Sequence, residues 1–370
     1  MDQFTDAKSG PFSDRLETLA AGRHIMTKIL PVFLLCISAF LFSCERQPTA
    51  VNISQESIEL FLVSVDDKCG YIDSAGKIVI NPQFESADYF HEGLAAAKLD
   101  GKWGYIDKTG KWVVKPVYDT AGDFKEGLAV VWVNKKAGYI NKTGKIVIEP
   151  QFDIGGSFSE GLAHVCTKDR CGHIDTAGKW SSEQNFQMVG DFSEGLAPAV
   201  QKGKIPDIMN AKWGYIDKTG TFVISPKFGE ASEFHDGCAQ IVVGKRCGYI
   251  DRTGKYTVTP KFDECSNFQE GLAAVRRGAK WGFIDKNGKF VINPKFDYAY
   301  EFSEGLGRVV KHNGELSGVA GYVNKAGNYV IEPQFSTFQG AWPFSKGLAR
   351  VFVNNKLCYI DKTGKFVWRP

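Results

Sequence analysis

Apolar positions along the chain fall into two regimes. Ile29 to Phe42 is one unbroken apolar run, whereas from about residue 57 onward apolar residues come in short stretches separated by Gly, Pro, Asp and Lys. The second regime contains three recurring strand signals. The first follows a Glu-Gly-Leu-Ala step, as in Glu126 to Trp132; the second is Trp103-Gly104-Tyr105-Ile106-Asp107; the third is Lys289-Phe290-Val291-Ile292-Asn293-Pro294. In the second, alternation places Trp, Tyr and Asp on one face and Gly and Ile on the other. No stretch keeps a helical period over a useful length, so the pattern predicts an all-β chain.

These signals repeat. The glycine of the second strand recurs from Gly70 to Gly321, most often 34 residues apart, and a ninth copy carries Cys358 in its place. Between the second and third strands stands Asp-Lys-Thr-Gly or a close variant. An Asp or Asn opens such a turn and a left-handed Gly closes it, from Gly76 to Gly364. Proline, which has no N–H to give, is expected to stop pairing in the third strand. Unit four has Ser181-Ser182-Glu183-Gln184 there, which makes its third strand doubtful. Beyond the Pro, two aromatics six residues apart, such as Phe262 and Phe268, would clamp the connector onto the sheet.

The expected architecture is an array of nine three-stranded antiparallel meanders spanning residues 57–370. One meander cannot bury its apolar face alone, so neighbours must share a core. An elongated or superhelical array is favoured over a closed propeller-like ring, because propeller blades usually have four strands and a larger unit. Whole units at both ends also give no hint of a split blade that would latch a ring.

The motif resembles the WG-repeat, or KWG-repeat, family found in bacterial secreted proteins and lipoproteins. The resemblance covers residues 57 to 370 and implies architecture, with no defined chemistry. In the Trp column, six units carry Cys69, Ala137, Cys171, Cys247, Ala320 or Leu357. Small or apolar substitutes mark that column as packing.

The apolar run at Ile29 is shorter than the roughly 20 residues a membrane-spanning helix needs and fits a signal-peptide core. Met26-Thr27-Lys28 supplies its positive start, and the run ends at Leu41-Phe42-Ser43-Cys44. This end resembles a lipobox, in which Cys44 becomes the acylated first residue of the mature chain; Phe42 departs from the usual pattern. The chain then divides into a start-site extension (1–25), a signal peptide (26–43), a tether (44–56) and the repeats, and the protein is expected to be exported and lipid-anchored at a bacterial membrane.

Composition adds exclusions. Forty Gly and 13% aromatic residues suit tight turns and short strands, and a formal charge of +3 with Lys and acids interleaved gives no nucleic-acid footprint. Trp103, Trp213 and Trp281, with the Tyr column at Tyr71, Tyr105, Tyr139, Tyr215 and Tyr249, are candidate sugar platforms, against a reading as repeat core. Cys166 and Cys171 flank a hairpin tip and are a candidate disulfide, against a reading as buried thiols. The two largest insertions, Gln201 to Lys212 and Lys311 to Ala320, fall at the same place in the repeat and would project from one edge. The Glu of Glu-Gly-Leu reads as a solvated turn residue. No zinc spacing, phosphate loop or catalytic constellation stands out, so no enzyme, metal or cofactor is expected. The leading function is a tethered scaffold for an envelope or extracellular protein. A carbohydrate- or peptidoglycan-binding module and a purely structural envelope role are the alternatives.

Overall fold

The computed structural model describes residues 58–182, 185–203, 211–312, 318–337 and 340–370. The start-site extension, the signal peptide, Cys44 and the rest of the tether, and the middles of both insertions lie outside the described residues. What is described is strands and tight turns, arranged as successive small antiparallel sheets.

Unit two shows the pattern. Leu94–Leu99, Lys102–Asp107 and Trp112–Tyr118 form the expected meander, and Asp107 Oδ1 accepts the N–H groups of Thr109 (2.8 Å) and Lys111 (3.1 Å) to build the turn. A fourth strand precedes them. Ser86–Ala87, in the connector, pairs with the first strand through Ser86↔Lys98 and Ala87↔Ala97. The sheets are therefore mostly four-stranded, one strand more than the alternation indicates, because two residues are too few to show a period. In unit five this role falls to Phe186–Val189, which also touches Cys171 of unit four and fuses both units into one seven-stranded sheet. Unit four thus lacks a full third strand of its own.

The Pro does not end the third strand. In unit two, Trp103↔Tyr118 and Tyr105↔Val114 show the central strand advancing two residues while its partner advances four, so Pro116 sits inside a bulge. The bulge explains the glycine column. A Cβ on Gly104 would lie 2.7 Å from Pro116 N, and one on Gly248 would lie 2.5 Å from Val258 O. Unit nine pairs its last strand, Phe366–Trp368, only through Tyr359↔Trp368 and Ile360↔Phe366, with no comparable bulge, so Cys358 has room for a side chain.

The core runs between sheets. The Tyr column is fully buried, and each ring meets an aromatic from the connector that follows. Tyr71 meets Phe90 (4.8 Å), Tyr105 meets Phe124 (4.8 Å) and Tyr249 meets Phe268 (4.6 Å). The hydroxyls donate to connector carbonyls, as Tyr105 does to Gly122 (2.8 Å) and Tyr215 to Ser232 (2.8 Å). Burial of the rings keeps the phenols neutral, with their ionisation pushed up.

The same contacts join the last unit to the first. Tyr359 takes Phe61 as its ring partner at 5.6 Å and donates to Leu62 O at 2.7 Å. Phe61, Val63 and Ile72 share a core cluster with Leu348, Tyr359 and Trp368. The unit-one turn at Gly76 lies against Val367, as Gly110 lies against Ile80 and Gly364 against Ile331. Eight of the nine units form the expected three-stranded meander, and unit four is the exception, its third strand incomplete. The ends of the array meet in the closed-ring arrangement, in place of the open course favoured from unit size. The reason is in the columns. The position paired with the central Ile is Ala95, Ala129, Ala239 or Ala349 elsewhere, but Phe61 in unit one. That phenyl ring fills the space a connector Phe fills at the other seams.

Candidate binding site at the closing seam

At the regular seams, polar groups are committed to one another. Glu92 Oε2 accepts the N–H of Gly127 (3.1 Å), Glu126 that of Gly161 (2.8 Å) and Asp236 that of Gly271 (2.8 Å), each in the next unit. Lys142 adds an ion pair to Glu92 at 3.0 Å, and Lys325 one to Glu270 at 3.2 Å. Burial pushes the Glu92 carboxyl up, but the Lys142 ammonium and the Gly127 N–H outweigh it and hold it below its usual range. The Glu of the repeat is thus an inter-unit latch rather than a merely solvated turn residue. Sequence inspection missed this because the partner is 35 residues away.

The closing seam is built differently. The Glu column holds Lys346, which pairs with Glu59 of unit one. Above this pair a cleft of about 480 Å³ opens between units nine, one and two. Its floor is Leu60, Phe61 and Tyr359, and its walls carry Tyr89, Trp342 and Arg350. The Arg350 guanidinium lies over two rings, 4.4 Å from the centre of Trp342 and 5.1 Å from that of Tyr89. The Trp342 backbone N–H donates to Arg350 O at 2.9 Å, and Gly340, with a left-handed φ of 104° and no side chain, leaves space for the indole. Tyr89 is 40% exposed and offers an open ring face. His91 and Lys346 also line the cleft; no carboxylate lines it. His91 is matched by Asp123 at 3.4 Å and Lys346 by Glu59. Among the described residues Arg350 has no carboxylate partner.

The residues singled out from sequence are spread over the molecule. Trp281 is 5% exposed and stacks on Tyr298 at 5.2 Å, while Trp103 and Trp213 are half-buried at the edges of two other core clusters. The Tyr column presents no open face. Cys166 and Cys171 are directly opposite in register and joined as a disulfide. A second disulfide, Cys247–Cys265, ties the central strand of unit six to the connector strand of the next sheet. The same columns meet in unit three, where a Cβ on Gly155 would lie 2.8 Å from that of Ala137, also 18 residues apart. His173 replaces Tyr in unit four, is 3% exposed and bonds Gly190 O through Nε2 at 2.8 Å. Burial lowers its pKa to about 4. Among the described residues no cluster of His, Cys, Asp and Glu has a metal-binding arrangement.

The WG-containing-repeat pattern matches residues 70–103, 103–136, 138–171, 172–204, 213–247, 248–281, 281–314 and 321–356. The chain belongs to the WG-repeat family. Each matched window starts in or just before one central strand and runs past the connector through the next unit's first strand, so eight windows join the nine units of this WG-repeat chain. No curated protein matches it in sequence. Among solved structures it is similar to apo AztD from Citrobacter koseri, at 8% identity over 84% of this chain and 93% of that one, with a TM-score of 0.42. It is also similar to Hsv2 from Kluyvelomyces marxianus (10%, covering 60% and 87%, TM-score 0.38) and to the Dos1 propeller (12%, covering 74% and 90%, TM-score 0.40).

Proposed function

We propose that this WG-repeat ring is a non-catalytic binding scaffold, held at a bacterial envelope membrane through acylated Cys44, that seats a protein partner at the closing seam. The observation that carries this reading is the contrast between seams. Regular seams use their carboxylates, glycine N–H groups and lysines on each other, whereas the closing seam leaves Arg350, Trp342 and Tyr89 facing a cleft. The exposed Tyr89 and half-buried Trp342 beside an Arg have the composition of an interface hot spot. A glycan ladder along the Trp column has less support, since Trp281 is buried.

Two measurements test it. Cells fed a clickable fatty acid should label the wild-type chain and leave Cys44→Ala unlabelled; equal labelling of both removes the anchor. A photo-crosslinking residue at Tyr89 should give a discrete adduct with one envelope protein, lost in Trp342→Ala. A similar adduct from Val113, an exposed residue of a regular unit, would remove the seam as the binding face.

A further inference from the structure

We propose that the seam cleft captures the C-terminal residue of a partner chain, an aromatic side chain with its free carboxylate. This rests on the scaffold reading for taking the seam as the partner's seat, and adds what the partner presents there. Three observations converge on it. The cleft is lined by Arg350, Lys346 and His91 with no carboxylate, and Arg350 alone among them lacks an acidic partner among the described residues, so an incoming anion meets one uncompensated charge. That cation lies over the Trp342 and Tyr89 rings, and ring contacts consume none of its N–H groups as hydrogen-bond donors, so the guanidinium can take a carboxylate through paired N–H groups. The remaining lining, Leu60, Phe61, Leu348 and Tyr359, is apolar or aromatic, and about 480 Å³ accommodates one large ring with room for main chain.

The strand beside the cleft accounts for the rest of the peptide. Among the described residues Phe61–Val65 is the outer strand of its sheet, which runs in the order Phe61–Val65, Lys68–Ile72, Ile78–Phe84. In units two, three, six and seven the corresponding first strand is covered by a connector strand. An extended chain can pair along such an edge while its last residue enters the cleft.

The test uses the purified full chain in detergent and calorimetric titration with Ac-Val-Thr-Val-Phe, in free-acid and amidated forms, with Tyr, Trp and Leu closing parallel peptides. The free-acid aromatic peptides should bind one to one. Amidation and Arg350→Gln should each weaken binding at least tenfold, with Arg350→Lys in between because it keeps charge and loses the plane. An unchanged melting temperature shows that each variant is folded. Equal affinity for acid and amide, retained affinity in folded Arg350→Gln, preference for Leu, or no binding by any of the four overturns the proposal. Loss of Cys44 acylation would leave this result untouched, so the two failures are separable. Binding by the peptides without an adduct at Tyr89 in cells would remove the envelope partner and keep the carboxylate site.

Discussion

The regular seams and the closing seam solve one packing problem with different residues. At a regular seam a buried Tyr is covered by the Phe of its own connector, and the facing residue of the next unit is Ala, as with Tyr105, Phe124 and Ala129. At the closing seam the facing residue is Phe61, and it supplies the ring that covers Tyr359. The Glu–Gly latch becomes Lys346–Glu59 in the same way. Each seam keeps a ring over its buried column residue while the source of that ring in sequence moves. The difference teaches that closure is written into the end units and is not a by-product of repetition.

Substitutions can break that comparison at either end. The largest effect is expected from Phe61→Ala, which removes a 5%-exposed ring from the closing core and should cost about 3–5 kcal/mol in denaturant unfolding. If the ring is open in solution, the loss will be small, since the phenyl group would cover nothing.

His173 sharpens the comparison from the regular side. Its folded pKa is about 4 against an ordinary 6.5, because burial penalises the imidazolium. The unfolded chain therefore binds the proton more readily. The neutral side chain's contribution is intact above about pH 6.5 and is lost as pH falls toward and below 4, up to about 3 kcal/mol in all. His173→Tyr, which restores the column, should flatten the stability profile over this window. An unchanged acid limb would place the titrating group elsewhere.

Gly248→Ala forces a Cβ against the Val258 carbonyl, and a cost of about 2–3 kcal/mol is expected, whereas Cys358→Ala at the equivalent position should be nearly neutral. Equal effects on melting would show that the bulge does not impose the glycine. The smallest effect belongs to Lys346→Glu. It sets two exposed carboxylates together at the closing seam and should cost under about 1 kcal/mol, a loss largely relieved in 1 M salt.

Much of this was legible in the chain. The nine units, the Asp-x-x-Gly turns and the connector aromatics follow from columns of like residues at a fixed spacing, and local geometry such as the Asp107 turn obeys local sequence. What escaped were relations between units. Two-residue connector strands are too short for alternation, Glu126 and Gly161 look like separate turn residues until neighbouring sheets are placed, and Cys247–Cys265 spans two sheets. Closure left a trace at Phe61 in an Ala column. What that ring covers, Tyr359 almost 300 positions on, shows only in the ring contact between the two.

Carbodiimide coupling reads closure of the ring directly, because the reagent joins a Lys amine to a carboxylate only where they touch. Lys142–Glu92 and Lys325–Glu270 serve as controls from regular seams. The ring predicts a Lys346–Glu59 cross-linked peptide within the monomer, in yield similar to the controls. Controls coupled with no Lys346–Glu59 product, or that product found only between two chains, would contradict it.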